Sequence, residues 1–423
     1  MSSLAESLNV IERVDGSGLD MPHGGHRLEF SRAEYARRYA RAAALMEHDG
    51  IDAVVVAQPS SIRYYTGLTT WVWVLPPVMP VIAILPRDPS QATVVDTAFD
   101  QGGLEAASWI KEFSLYGPGL DPVDAVIEAL RRRGLLEGTI GFELGAGQHP
   151  NLNPNDLQRL VRGVRGKAVD ASELLSAVRV LKGAEEVDRL REACRLSTVG
   201  FEAAFRAMRV GSTEAELTSI AAEAMLRAGA RPGWEPFMLK FIAGPDRFGE
   251  HLLLSTSEKV SAGAQLHADG GCAVDGYRCD FMRSAVVGRL SDRAEAAYEL
   301  AIEGLDAAVK NLKPGHPIGE AWQAAADVFA RAGQPAGAAL TWGHGIGLDH
   351  WEVPQISQPG TPAGDLVARK GMVLCVEPSA GSELSHSDGP VGTFIVEDQV
   401  AVGHDGVEIL TAALPRALFR AGT

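Results

Sequence analysis

The sequence predicts a two-domain protein, an α/β domain followed by an α+β domain, and three observations carry that expectation. The chain has 423 residues, more than one hydrophobic core ordinarily serves. Its first part alternates helical and strand-like apolar patterns, which is how a helix-covered sheet reads. Beyond Phe241 it becomes rich in short strands and glycine, with two long amphipathic helical stretches among them. Apolar residues make up 46% and charged residues 22%, the balance of an ordinary globular chain, so disorder is expected only at the ends.

Residues 1–26 are set apart as an N-terminal extension, and the first domain is expected over 27–183. "SRAEYARRYARAAALMEHDG", Ser31 to Gly50, spaces its apolar residues at helical period and ends on a glycine stop. "IDAVVVAQP" then reads as a short buried strand. "TVVDTAFD" and "GTIGFELG" repeat the strand pattern, and "DPVDAVIEALRRRGLL" the helical one. From Leu174 to about Arg227 the chain turns mainly helical, with "EEVDRLREACRLSTVGFEAAFRAM" as one long amphipathic helix. The boundary is placed near Gly183, and the second domain over 184–423.

In the second domain "QLHADGGCAVDGYRCDFMRSAVVG" predicts two strands joined by a tight turn at Asp275-Gly276. "DRAEAAYELAIEGLDAAVKNLKPG" and "IGEAWQAAADVFARAG" are amphipathic helices closed by glycine or proline. "GMVLCVEP" and "GTFIVEDQVAV" are strands again. Helices packed on a curved, mostly antiparallel sheet are the expected outcome.

Charge and composition exclude several function classes. A formal net charge of −15 disfavours a phosphate-reading surface, so no nucleic-acid partner is expected. Cys194, Cys272, Cys279 and Cys375 show no C-x-x-C spacing and fit a reducing cytoplasm. The N-terminus lacks a basic region followed by an apolar run, so no secretion signal is expected. The most apolar run, Trp71 to Pro86, holds four prolines and reads as buried strand and turn rather than a membrane helix.

The chemistry concentrates in the second domain. Asp269 and Asp280 lie in the glycine-rich hairpin, His344 in the loop "TWGHGIGLDHWEVP", Glu377 before Pro378, and Glu397 before Asp398. Each sits in or beside apolar strand residues, where an ionised carboxylate is costly unless paired. Four such carboxylates together carry −4, which two divalent cations would balance. Hard oxygen donors with one imidazole suit Mn, Co, Zn or Fe. Gly343, Gly345, Gly347, Gly270 and Gly271 would let the backbone pass close to such a cluster.

The order D-x10-D, G-H-G-I-G-L, G-M-V-L-C-V-E-P and I-V-E-D resembles the pita-bread metallohydrolases: methionine aminopeptidase, aminopeptidase P, prolidase and creatinase-like relatives. "GIDAVVVAQPSSIRYYTGL" resembles the creatinase-type N-terminal domain and "LLSAVRVLKGAEEVDRLREA" the junction that follows it. The resemblance runs from about Arg27 to near the end. It implies a creatinase-like N-terminal domain and a pita-bread catalytic domain. Asp269, Asp280, His344, Glu377 and Glu397 would ligate two divalent metals, with Glu377 as general base.

Family peptidases commonly carry a histidine seven positions after the ligand histidine, where it assists the tetrahedral intermediate. Here that position is Trp351, with His350 one step earlier, so His350 is either the catalytic group or a loop histidine. Aminopeptidase P relatives tend to place an arginine where this chain has Ile395. His251 lies near the position of a substrate-contacting histidine. Trp71 and Trp73 are either core residues or, with Trp351, substrate-binding ones. The resemblance therefore implies a cytoplasmic, homodimeric enzyme without membrane attachment that cleaves an amide or peptide bond in a small or short-peptide substrate. Xaa-Pro dipeptide or aminopeptidase chemistry is its leading version. A non-peptidase member of the fold, such as a small-amide hydrolase or a dimethylsulfoniopropionate-type lyase, is one alternative, and a metal-free binding module another.

Overall fold

The computed structural model describes residues 2–74, 79–117, 119–231, 237–244, 253–334, 341–379 and 394–422. The chain divides into two compact units, Met1–Arg179 and Val180–Thr423.

Unit 1 is built on a six-stranded mixed sheet. Its strands are β1 (Ala53–Val56), β2 (Ile82–Pro86), β3 (Thr93–Thr97), β4 (Glu112–Tyr116), β5 (Thr139–Phe142) and β6 (Lys167–Asp170), in the order β4-β3-β2-β1-β5-β6. The helix Pro122–Arg132 shows why the pattern folds this way. The Asp121 carboxylate accepts from the Val123 and Asp124 amides, and Pro122 loses nothing at a position whose N–H has no helical partner. Val123, Val126 and Leu130 then share one face and pack with Val55, Ile84 and Phe142 of the sheet. Each such side chain stabilises the unit by about 1.5–3 kcal/mol.

Within residues 1–26, Ser3 and Glu6 cap the helix Leu4–Ile11, which buries Leu8 and Ile11 completely. One expectation changes here. Trp71 does not begin a strand. Trp71–Val74 form a single 3₁₀ turn, and β2 starts only at Ile82, after Pro80, which cannot donate to a ladder. No described helix is long and apolar enough to cross a membrane.

Unit 2 opens with the helix Ala184–Ala207, whose first turn is capped when Glu186 accepts from the Gly183 amide at 2.7 Å. Its strands are β7 (Met238–Ala243), β8 (Gln265–Gly271), β9 (Ala273–Val274), β10 (Tyr277–Arg278), β11 (Met282–Val287), β12 (Thr341–Gly345), β13 (Glu352–Ser357), β14 (Val373–Val376), β15 (Asp398–Val402), β16 (Val407–Ile409) and β17 (Phe419–Ala421). They form two larger sheets, β17-β11-β8-β7 and β13-β12-β14-β15-β16, with β9 and β10 as a separate pair. All pairings but β11 with β17 are antiparallel in this unit. The helices Asp292–Asn311 and Gly319–Arg331 accompany them.

The predicted hairpin is therefore four strands rather than two. Asp275 and Gly276 both have positive φ, 47° and 79°, as a two-residue turn between twisted strands requires. The run breaks near Gly270, at φ 95°, where an added Cβ would lie 1.7 Å from the Met238 carbonyl oxygen. That break separates the turn from the stem β8–β11 and leaves Cys279, Asp280 and Phe281 between β10 and β11.

Candidate metal centre

Strand register brings the chemistry together within unit 2. β12 pairs His344 with Cys375 on β14, and β14 pairs Cys375 with Gln399 on β15. Glu377 stands two residues beyond Cys375 and Glu397 two before Gln399, positions that the two-residue alternation of a strand sends to the same face. Asp280 is held to both strands: its amide donates to Gln399 Oε1 at 3.0 Å, and its carbonyl accepts from Cys375 Sγ at 3.7 Å. As a result, donor atoms of Asp280, His344, Cys375 and Glu397, all buried, lie within 4.8 Å of one another.

His344 Nε2 lies 3.6 Å from Asp280 Oδ2 and 3.7 Å from Glu377 Oε1. Its Nδ1 is 2.9 Å from the Gly345 carbonyl oxygen, so the Nδ1–H tautomer leaves Nε2 as a lone-pair donor facing the carboxylates. His350 also reaches the site, with Nε2 2.9 Å from Asp280 Oδ2. Trp351, 63% exposed, stacks on the His344 ring with centroids 4.8 Å apart. Behind this loop, buried Lys182 donates to Glu352 Oε2 at 2.8 Å, and Glu352 Oε1 accepts from the Asp349 amide.

Asp269 neighbours Asp280 and also meets a cation of its own. On β8 it is registered with Lys240 of β7, whose Nζ lies 2.7 Å from Asp269 Oδ2. Asp398 turns away from the cluster into a second set of charges, accepting from Arg283 at 2.7 Å, Thr411 at 2.8 Å and Arg416 Nε at 2.6 Å.

Crowding of buried carboxylates shifts their titration. Burial and the neighbouring Asp280 push Asp269 up to about 6. Burial pushes Glu377 up to about 7 against the pull of His344, and it drives Glu397 well above the usual carboxylate range with help from Asp280 and Glu377. Burial opposes ionisation of Asp280 too, but His350 and His344 outweigh it and hold that carboxyl below its ordinary value. Burial pulls His344 down, yet Asp280 and Glu377 leave it raised.

The donor set fits a cation. Both carboxylate oxygens of Glu397 and Oδ1 of Asp280 are buried without a hydrogen-bond partner among the described residues. Oxygens in that condition are expensive unless something positive meets them. Carboxylates, an imidazole and a thiol suit a divalent transition ion.

The structure gathers Asp280, His344, Glu377, Glu397 and His350 about one point and puts Trp351 over His344. Asp269 neighbours them and is paired with Lys240. Trp71 and Trp73 belong to unit 1, the first exposed and the second buried as a core residue is. His251 falls outside the described residues. Sequence reasoning missed Cys375, although its place two residues before Glu377 was legible as a shared strand face. It also missed Gln399, Lys240 and the Asp398 partners, which only strand pairing reveals. The glycine reading needs correction at Gly343: at φ 140°, an added Cβ would lie 2.1 Å from the Cys375 carbonyl oxygen, so neighbouring backbone rather than an ion demands glycine there.

Comparison with known proteins places this geometry. A family model for the creatinase/prolidase N-terminal domain matches residues 38–181, and one for metallopeptidase family M24 matches residues 188–404. The chain is 27% identical to an Xaa-Pro dipeptidase of Lactobacillus helveticus over 365 residues, covering 85% of this chain and 92% of that one. It is 24% identical to a creatinase of a Bacillus species, covering 92% and 94%. A solved Xaa-Pro dipeptidase from Bacillus anthracis superposes with a TM-score of 0.78 at 22% identity, covering 91% and 99%. The N-terminal match, the clustered carboxylates and the M24 match over more than half the chain make one assignment: the chain belongs to metallopeptidase family M24, as a metal-dependent hydrolase of peptide C–N bonds.

Proposed function

We propose that this chain hydrolyses short Xaa-Pro peptides, as a dipeptidase or aminopeptidase-like enzyme, at a centre for two divalent cations drawn from Mn, Co, Zn or Fe. The observation that carries the reading is the buried set of Asp280, His344, Cys375 and Glu397, with Glu377 beside His344 and with Asp280 and Glu397 oxygens that no group among the described residues satisfies. Asp280, His344, Glu377 and Glu397, with Asp269, would hold the cations. Bound there, the cations would polarise a scissile carbonyl and acidify a water.

The chain's own groups supply the rest. Glu377, whose Oε1 lies 3.7 Å from His344 Nε2, can take a proton from an attacking water and return it to the leaving amine. His350, hydrogen-bonded to Asp280, can donate to the oxyanion that forms at the attacked carbonyl. Trp351 offers an exposed aromatic face to the substrate. Trp71, Trp73 and His251 are retained as substrate-contacting proposals on the family resemblance. The same resemblance supports a cytoplasmic homodimer, and four free buried thiols suit a reducing compartment.

Ile395 and Trp351, at positions where relatives carry arginine and histidine, favour a second reading in which the substrate is a small non-peptide amide. One panel separates the two: Gly-Pro, Xaa-Pro-Xaa tripeptides, a non-prolyl dipeptide, small amides and dimethylsulfoniopropionate, offered to enzyme loaded with each metal in turn. Proline-dependent, metal-dependent cleavage supports the first reading. Turnover confined to non-peptide substrates sinks it.

A further inference from the structure

Lys240 stands where a cation would be expected. Its ammonium lies 2.7 Å from Asp269 Oδ2, and the pairing is set by backbone register, since Lys240 and Asp269 are directly opposed on β7 and β8. Directly opposed strand residues present their side chains to the same face, so this contact needs no unusual rotamer. Both carboxylate oxygens of Glu397 and Oδ1 of Asp280, meanwhile, are buried without a hydrogen-bond partner among the described residues, whereas Asp269 Oδ2 is already met by the lysine. The site is thus lopsided. One end offers bare oxygens, and the other offers a carboxylate already neutralised by a lysine.

We propose that Lys240 is a built-in competitor for metal at Asp269, so that the chain loads one divalent cation tightly at Asp280, His344 and Glu397 and a second only by displacing the lysine. A metal bound to Asp269 Oδ2 would need the place on that oxygen that Nζ fills, and its charge would repel the ammonium. Lys240 can yield, because its side chain keeps 18% exposure and a flexible four-carbon stem. The second ion is therefore admitted at a cost. The inference rests on the metal-centre reading, although it needs no particular substrate.

The test counts ions rather than turnover. Metal-free protein is titrated with Mn²⁺ by calorimetry, then gel-filtered and analysed for bound metal, for wild type, Lys240→Met and Lys240→Arg. Wild type and Lys240→Arg should retain one ion per chain, with the second binding at least about tenfold more weakly. Lys240→Met should retain two, with that gap closed. If Lys240→Met does not fold, Lys240→Gln removes the same charge and should give the same count. Two ions of equal tightness in wild type, or a single ion in the charge-removing variant, would overturn the proposal while leaving the metal centre intact. No retained ion in any variant would overturn both.

Discussion

Trp351 lies flat against His344, ring planes 24° apart and centroids separated by 4.8 Å, so an exposed indole covers the imidazole that faces the buried carboxylates. Its emission should therefore report on that imidazole. Stoichiometric Co²⁺ is expected to quench part of the tryptophan fluorescence, and Trp351→Phe should abolish this component while still binding the metal. An unchanged quench in the variant would show that the signal arises elsewhere.

His350 should separate chemistry from assembly. Its Nε2 is bonded to Asp280, one of several groups around that carboxylate, and it is partly exposed. His350→Ala is expected to lower kcat about 10²- to 10³-fold with metal content preserved, which is the usual scale for a positioned proton or hydrogen-bond donor. Loss of metal in parallel with activity would instead make it a support for Asp280.

The metal-free protein should respond to pH in an unusual sense. Glu377 and Asp269 are raised to about 7 and about 6 from ordinary values of 4.5 and 3.8. Carboxyls raised by folding hold their protons more tightly in the folded state, so stability falls as pH climbs from about 4 to 7. The lowered carboxyl of Asp280 acts oppositely, but only below its ordinary 3.8. Melting temperature without metal should be lower at pH 8 than at pH 5.5, and added Mn²⁺ should raise it more at pH 8, because metal binds the ionised forms. A metal-free melting temperature that climbs across this window would contradict the account.

Glu397 should show the same conflict by substitution. Its oxygens are buried and unsatisfied, so Glu397→Gln is expected to raise the metal-free melting temperature at pH 8 and to remove the stabilisation by metal together with activity. Asp280→Ala and Glu377→Ala should likewise abolish activity, by at least about 10³-fold, and remain folded. Normal turnover in either would dismiss the assigned centre.

The Lys182–Glu352 pair should behave as a structural element. Lys182→Met strands a buried carboxylate and should cost about 3–5 kcal/mol, measured by urea unfolding. Adding Glu352→Gln should recover much of that loss. Additive losses would mean that the two side chains are not coupled.

The sequence exposed the parts of this molecule that local pattern encodes. Ser31 and Gly50 bracket their helix because a hydroxyl cap and a left-handed stop are written into single residues. Asp275-Gly276 marked its turn for the same reason. Five motif residues in a fixed order exposed most of the centre. What was hidden depends on pairing between distant strands. Lys240 reads as an isolated charge until β7 meets β8, and Gln399 as an ordinary strand residue until it supports Asp280. The position of His350 was hidden too, since loop direction between Gly345 and Glu352 follows from tertiary contacts rather than alternation. Trp71 to Pro86 misled because its apolar residues hid proline's effect on strand length.

Glu397 and Asp398 are neighbours with opposite destinations, one toward the metal cluster and the other into Arg283, Arg416 and Thr411. That arrangement acts as a reading frame. A one-residue slip of this strand against its neighbours would present Asp398 to the cluster and pull Glu397 toward the arginines, exchanging two carboxylates that differ by one methylene but not in sign. Evolution can therefore vary the loops on either side in sequence and length, but this strand tolerates no slippage: the arginines keep the frame, and the metal cluster depends on it.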